Sequence, residues 1–182
     1  MRVLAGALKG RRLLTPRGAT TRPTADRVRI ACLDTLMPVV ATGPFLDVFA
    51  GAGGVGIEAL SRGAPAAVFV ERDRAALTAL RQNVEALGLG GRARIVGGDA
   101  LRALARLARQ DERFAVAFLD PPYGAPEAAA AAAAAGDLLL AGGVLAVQHA
   151  SKAPPPPAAG RLRAWKARKF GETTLTFLRA DR

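Results

Sequence analysis

The sequence predicts an α/β fold built on a seven-stranded, Rossmann-like sheet, mostly parallel, with helices on both faces. Three observations predict it. Short apolar runs alternate strictly with helical stretches from Pro44 onward, and a glycine-rich turn follows the first of those runs. The last two strand candidates are joined by a turn at Gly171 with no helix between them. Strict β-α alternation implies a parallel sheet covered on both faces, and a closing hairpin adds two antiparallel strands at its end.

The strand candidates are Phe45–Phe49, Ala66–Glu71, Ala93–Val96, Phe114–Leu119, Val144–Val147, Arg161–Phe170 and Thr173–Leu178. Helices are predicted over Val55–Arg62, Arg74–Leu87, Ala100–Arg109 and Pro126–Leu140. The second of these carries Leu77, Leu80, Val84 and Leu87 on one stripe before Gly88, a C-cap signal. The eight alanines after Glu127 have high helix propensity and carry no chemistry. Ahead of the core, Met1–Pro16 reads as a small basic hairpin whose arginines face solvent. A helix then begins at Thr21-Arg22-Pro23-Thr24 and runs until Pro38 stops it. The chain thus divides into an N-terminal basic hairpin and helix, 1–38, and a catalytic domain, 39–182.

Composition narrows the chemistry. At 182 residues the chain suits one domain of ordinary size with a small appendage. It has no apolar stretch long enough to span a bilayer and no apolar signal core, so a cytoplasmic protein is expected. One cysteine, Cys32, and one histidine, His149, argue against an internal disulfide, a histidine-dependent triad and a Cys/His metal centre. The net charge of +11 is concentrated at the two ends: +7 in residues 1–30, −2 in 31–151 and +6 in 152–182. A near-neutral core between basic ends suits a polyanion ligand, because phosphate neutralisation supplies most sequence-independent affinity for nucleic acid. The candidate contacts are Arg2, Lys9, Arg11, Arg12, Arg22, Arg27, Lys166, Arg168 and Lys169. Trp165 is a weaker candidate for base stacking and equally a structural residue.

Two constellations carry the chemistry. In the turn from Asp47 to Gly56, Gly51, Gly53 and Gly56 satisfy G-x-G-x-x-G, where a cofactor approaches bare backbone. The glycines alone leave a dinucleotide-dependent oxidoreductase open. Acids at successive strand ends favour another ligand. Asp47 precedes the glycines, where a carboxylate repels a pyrophosphate but attracts the ammonium or sulfonium of S-adenosylmethionine. Glu71, 20 positions after Gly51, can accept from ribose hydroxyls, and Asp99 with Ala100 can line an adenine site. Asp99 is also a candidate N-cap, and Glu71 a solvated strand end.

The second constellation is Asp120-Pro121-Pro122-Tyr123, after the apolar run Phe114–Leu119. Two prolines make a rigid loop. The Asp120 carboxylate and the Pro121 carbonyl accept from an amine, and Tyr123 offers a flat face to a base.

In this order the motifs resemble class I S-adenosylmethionine-dependent methyltransferases that modify exocyclic amines. Three segments narrow the likeness: Met1-Arg2-Val3 with Ala5-Gly6 and Gly10-Arg11; Arg22-Pro23-Thr24 with Asp26-Arg27-Val28-Arg29; and Gly56-Ile57-Glu58-Ala59-Leu60-Ser61-Arg62-Gly63-Ala64. With Phe170-Gly171-Glu172-Thr173-Thr174-Leu175 they resemble the RsmD family over nearly the whole chain. The resemblance implies transfer of methyl to a guanine N2 of 16S ribosomal RNA, with S-adenosylhomocysteine as product. It implies ribosomal RNA or the assembling small subunit as partner, a monomer, and no metal. It adds Phe49 and Arg72 to the cofactor set of Asp47, Gly51, Gly53, Gly56, Glu71, Asp99, Ala100 and Asp120. Adenine-N6 methylation of DNA or RNA stays open on the residues alone, because both amines present the same two donors to Asp120 and Pro121. The chain departs from the family pattern at Ile30 and Gln148, where acidic residues are expected.

Overall fold

The computed structural model describes residues 1–16, 23–122, 124–154, 156–158 and 160–181. In chain order the elements are α1 (Pro23–Val40), β1 (Phe45–Val48), α2 (Gly54–Ser61), β2 (Ala67–Glu71), α3 (Arg74–Ala86), β3 (Ala93–Gly97), α4 (Ala100–Arg109), β4 (Phe114–Leu119), α5 (Ala128–Asp137), β5 (Leu139–Ala150), β6 (Leu162–Phe170) and β7 (Thr173–Ala180). They form one sheet in the order β3-β2-β1-β4-β5-β7-β6. The first five strands run parallel, and β7 pairs antiparallel with both β5 and β6. The chain winds outward from β1 to β3 and then returns beside β1 with β4. Ligands in open sheets sit at such a reversal, beyond the carboxyl ends of the strands.

Alternation along the buried strands sorts the core into two layers. Phe45, Phe69, Val116, Phe118 and Ala146 face one side, with Leu33 and Leu36 of α1, Ile57 and Leu60 of α2, and Leu80 and Val84 of α3. Leu46, Val48, Val70, Leu119 and Leu145 face the other, against Leu104 and Leu107 of α4 and Ala131 and Ala135 of α5. The N-terminal segment belongs to the first layer, where Val3 and Leu13 are buried. Its two arms meet at an Arg2–Arg12 bridge, with Val3 N–H donating to the Arg11 carbonyl at 3.0 Å.

Three buried polar side chains pin that segment. Glu58, fully buried in α2, accepts from the amides of Leu4 and Ala5, both at 2.8 Å, and pairs with Arg62. Ser61 Oγ donates to the Ala5 carbonyl and accepts from Leu8 N–H. Asn83 of α3 accepts from Leu14 N–H and donates to the carbonyls of Leu14 and Ala52, tying the N-terminal strand to the glycine turn. Glu58 and Ser61 lie in the family-like stretch Gly56–Ala64, and the clasp gives that stretch a physical reason.

Several boundaries differ from the sequence prediction. Helix α1 continues through Pro38 to Val40. Proline removes one bond in the last turn, and burial of Leu36 and Val40 outweighs it. Strand β5 is 12 residues long rather than the four of Val144–Val147, and α5 ends at Asp137 rather than Leu140. Leu139 already pairs with Phe114, and β7 continues the ladder to Ala150 opposite Thr173. The outer parts of β5 carry glycines and polar residues, so only its apolar centre is visible without the partner strand.

Candidate active site

The register of β1, β4 and β5 assembles the site. Asp47 lies beside Phe118, so it shares that residue's face of the sheet. Leu119 pairs with Val147, and one residue further along each strand come Asp120 and Gln148, on the same face as Asp47. Above them is a cavity of about 320 Å³ lined by Asp47, Phe49, Gly51, Gly54, Phe118, Asp120 and Gln148, with Val28, Arg29 and Cys32 of α1 as the opposite wall.

The glycine turn divides its labour. Phe49 has φ 63°, a left-handed conformation that costs energy for a residue with a Cβ, and Gly51 follows at φ 56°. A Cβ on Gly51 would meet nothing within 4 Å, so this glycine leaves open space beside the cavity. Gly53 and Gly56 serve packing instead. A Cβ there would lie 2.4 Å from Leu80 Cδ1 and 2.3 Å from Phe69 Cε1, respectively.

Asp47 is 1% exposed and accepts from Gly56 N–H at 2.8 Å through Oδ2. Burial pushes its carboxyl up to about 7, against the pull of the Gly56 amide, and the charges of Asp120 and Glu71 push the same way. A cation beside it would restore the carboxylate. Burial likewise raises Asp120, to about 6. By surface area the Asp120 residue is exposed, which works against that rise. Cys32, enclosed next to both acids, has its thiol pushed up by burial and then by their charge, so it is a thiol and not a nucleophile at neutral pH.

Glu71 holds the glycine turn. Its Oε2 accepts from Gly51 N–H and its Oε1 from the amides of Arg72 and Asp73, all at 2.7 Å. Of roughly four acceptor positions on a carboxylate, this leaves about one for a ligand hydroxyl. Asp99 caps α4, accepting from Arg102 N–H at 3.0 Å through Oδ1, and Ala100 behind it is buried. The cap uses one Asp99 oxygen, so capping and ligand contact are compatible. Arg72 extends into solvent and pairs with Glu127 at 3.6 Å. Glu71, Arg72, Asp99, Ala100, Gly53 and Gly56 stand outside the cavity lining, whereas Asp47, Phe49, Gly51 and Asp120 are in it.

Beyond Asp120, Pro121 is buried and the Pro122 carbonyl accepts from Ala125 N–H at 3.0 Å, closing a turn. A second cavity, of about 290 Å³, lies on this side between Pro121–Pro122 and Gln148–Ala150, roofed by Pro154, Pro156 and Pro157. Gln148 is a wall of both cavities. Tyr123 and Arg22 lie outside the described residues.

The basic residues Arg2, Lys9, Arg11, Arg12 and Arg27 are exposed on the N-terminal segment and α1, as are Lys166, Arg168 and Lys169 on β6. Trp165 is engaged in packing. Its ring meets Phe177 edge-on at 6.2 Å, and Lys166 and Arg179 lie over it at 4.7 and 4.3 Å. Among the described residues no group of three or more His, Cys, Asp or Glu side chains could hold a metal ion. No helix among them is long and apolar enough to cross a membrane.

Sequence reasoning missed the wall formed by Val28, Arg29 and Cys32. The stretch Asp26–Arg29 was visible as a family-like segment, but which side chain turns inward depends on how α1 packs across the sheet.

Residues 1–179 match the family model described as Conserved hypothetical protein 95. Over 123 residues the chain is 39% identical to ribosomal RNA small subunit methyltransferase D of Escherichia coli (strain K12), a match covering 68% of this chain and 60% of that protein. The chain belongs to the RsmD family. Similarity to the protein YlbH of Bacillus subtilis (strain 168) is 44% identity over 123 residues, 68% of this chain and 67% of the relative. The solved structure of yhhF from Escherichia coli superposes with a TM-score of 0.87 at 30% identity, covering 100% of this chain and 98% of that one. As the sequence predicts for an RsmD-family chain, the fold is the class I methyltransferase sheet with its antiparallel C-terminal hairpin.

Proposed function

We propose that this protein transfers a methyl group from S-adenosylmethionine to the exocyclic N2 amine of a guanine in 16S ribosomal RNA. The observation that carries the reading is the strand register, which sets Asp47 and Asp120 on one face of the sheet at its reversal point, over a cavity bounded by Gly51. The residues fit the methyl donor: an enclosed carboxylate for a cationic centre, open backbone at Gly51, and one free acceptor position on Glu71. When bound, that donor supplies an electrophilic methyl on a sulfonium.

The chain's own residues do the rest. A guanine amine is a weak nucleophile because its lone pair is delocalised into the ring. Acceptance of its N–H bonds by Asp120 and the Pro121 carbonyl favours a pyramidal nitrogen and stabilises the positive charge that develops there. The Pro122 carbonyl is occupied by Ala125 N–H, which leaves the Pro121 carbonyl as the acceptor beside Asp120. Asp120, ionised at neutral pH with a carboxyl near 6, takes the amine proton as the new bond forms. Tyr123 is assigned to stack on the base. Positioning of the two reactants supplies much of the rate.

In this reading residues 1–38 are an RNA-binding appendage and 39–182 the methyltransferase domain of a cytoplasmic monomer. Arg2, Lys9, Arg11, Arg12, Arg22, Arg27, Lys166, Arg168 and Lys169 contact phosphates of the ribosomal RNA or the assembling subunit. Their total charge predicts RNA affinity that falls steeply with salt.

The test is transfer of label from tritiated S-adenosylmethionine to small-subunit RNA, followed by nucleoside analysis. Label in N2-methylguanosine is expected. Label in N6-methyladenosine would move the assignment to adenine, and absence of transfer to naked RNA and to assembled subunits alike would remove it.

A further inference from the structure

Arg29 is the anomaly in the cavity wall. It is only 6% exposed, and its bonds account for one nitrogen: Nη2 donates to the Arg2 carbonyl at 2.7 Å and pairs with Asp26 at 3.1 Å. Nε and Nη1 are buried and meet no acceptor among the described residues. Those two nitrogens carry three of the five guanidinium N–H groups, about the most costly kind of donor to bury unpaired. Burial also lowers the pKa of the group.

Its surroundings add to the anomaly. A Cβ built on Gly54 would lie 3.1 Å from Arg29 Nη1, which places the guanidinium against the first residue of α2. That is the positive end of a helix, where a second positive charge is unfavourable and an anion is favoured. The Gly54 and Val55 amides donate to no carbonyl or side chain among the described residues. Across the cavity stand Asp47 and Asp120. Among the described residues the cavity therefore has Asp47 and Asp120 on one side and, on the other, a guanidinium that keeps free donors although Asp26 lies against its Nη2, a pattern that suits a zwitterionic amino acid. Met1 covers the guanidinium side, its Sδ and Cε 2.9 and 2.8 Å from the same Cβ position, and a thioether side chain with three rotatable bonds is easily displaced.

We propose that Arg29, together with the first turn of α2, binds the α-carboxylate of the methyl donor's methionine moiety, while Asp47 faces its ammonium. This rests on the methyl-donor reading above and adds to it a residue outside the glycine turn and the strand ends.

The test is calorimetric binding of S-adenosylmethionine and of its decarboxylated analogue, which keeps both the sulfonium and the ammonium. The wild-type protein is expected to prefer the carboxylate form by about tenfold or more, the range of a charge-assisted hydrogen bond. Arg29→Met should reduce that preference to under about twofold while holding the decarboxylated analogue within about threefold of wild type. Arg29→Lys, which keeps the charge beside Asp26 but loses the planar fork, should give an intermediate preference and serves if the Met variant does not fold. A wild-type protein that binds the two forms equally, or a variant that weakens both forms in proportion, overturns the assignment and leaves Arg29 as a clamp on Arg2. A wild-type protein that binds neither form removes the methyl-donor reading itself.

Discussion

The two walls of the cavity are built on different principles. One wall is the ends of β1 and β4, where Asp47 and Asp120 follow apolar strands and are placed by register. The other is α1, where Val28, Arg29 and Cys32 face inward because a helix from outside the β-α succession packs across the sheet. Local pattern specifies the first wall and long-range packing the second. The candidate acids of this fold therefore lie at the strand ends, while α1 and the N-terminal segment close the space over them.

Removing the acceptor at the end of β4 should have the largest effect. Asp120→Asn is expected to lower single-turnover methyl transfer by about 10²- to 10⁴-fold, the usual contribution of a positioned acid or base. Cofactor affinity measured by calorimetry should stay within about threefold. Near-wild-type transfer would place the reactive acceptor elsewhere.

The N-terminal segment that closes the cavity is held at Glu58. Glu58→Ala leaves the partly buried Leu4 and Ala5 amides and Arg62 without their shared acceptor, so denaturant unfolding should show a loss of about 3 kcal/mol or more. A loss under about 1 kcal/mol would mean that the N-terminal segment is held by its apolar contacts alone.

The glycine turn sharpens the contrast within one motif. Gly56→Ala collides with Phe69 and should lower the unfolding midpoint more than Gly51→Ala, which meets no atom but is strained at φ 56°. Gly51→Ala should weaken the cofactor more. Equal effects of the two variants on stability and on binding would contradict the division between packing and access.

Asp47 supplies a smaller, continuous effect. Its folded carboxyl is raised to about 7 from an unfolded value near 4. The folded state therefore holds more protons between those values, and this residue's contribution to stability falls as pH rises from about 4 to about 7, then levels off. A cationic ligand draws the carboxyl back down, so S-adenosylmethionine binding should strengthen as pH rises toward 7 and release a proton below it. Calorimetry in two buffers of different ionisation enthalpy measures that proton; identical heats at pH 6 would show that Asp47 is already ionised.

The fold was legible because its core strands are short buried runs with clear boundaries. Phe114–Leu119 is found as the sequence predicts, and Ala100–Arg109 begins at its Asp99 cap. Illegibility began where a partner strand or a packed helix decides the outcome. The Leu139 end of β5 becomes strand because β4 lies beside it, and the polar Gln148–Ala150 end because β7 does. Pro38 reads as a stop and is overruled by the burial of Val40. In the site, the strand-end acids could be read as a series. Of their hydrogen bonds only the Asp99 cap could be read, whereas the commitment of Glu71 to three backbone amides could not. Arg29 was hidden because one arginine among many in a basic segment gives no sign that it is buried. Gln148, visible only as a departure from a pattern, turns out to separate the two cavities.

The most direct test of the central claim, that the cavity over β1 and β4 is the methyl-donor site, is hydrogen–deuterium exchange with and without S-adenosylhomocysteine. Slowed exchange at the Phe49–Val55 turn, at Glu71–Asp73 and at the start of α4 is the predicted result. Unchanged exchange there, with protection confined to the proline-lined cavity beside Gln148 or to no segment, would contradict it.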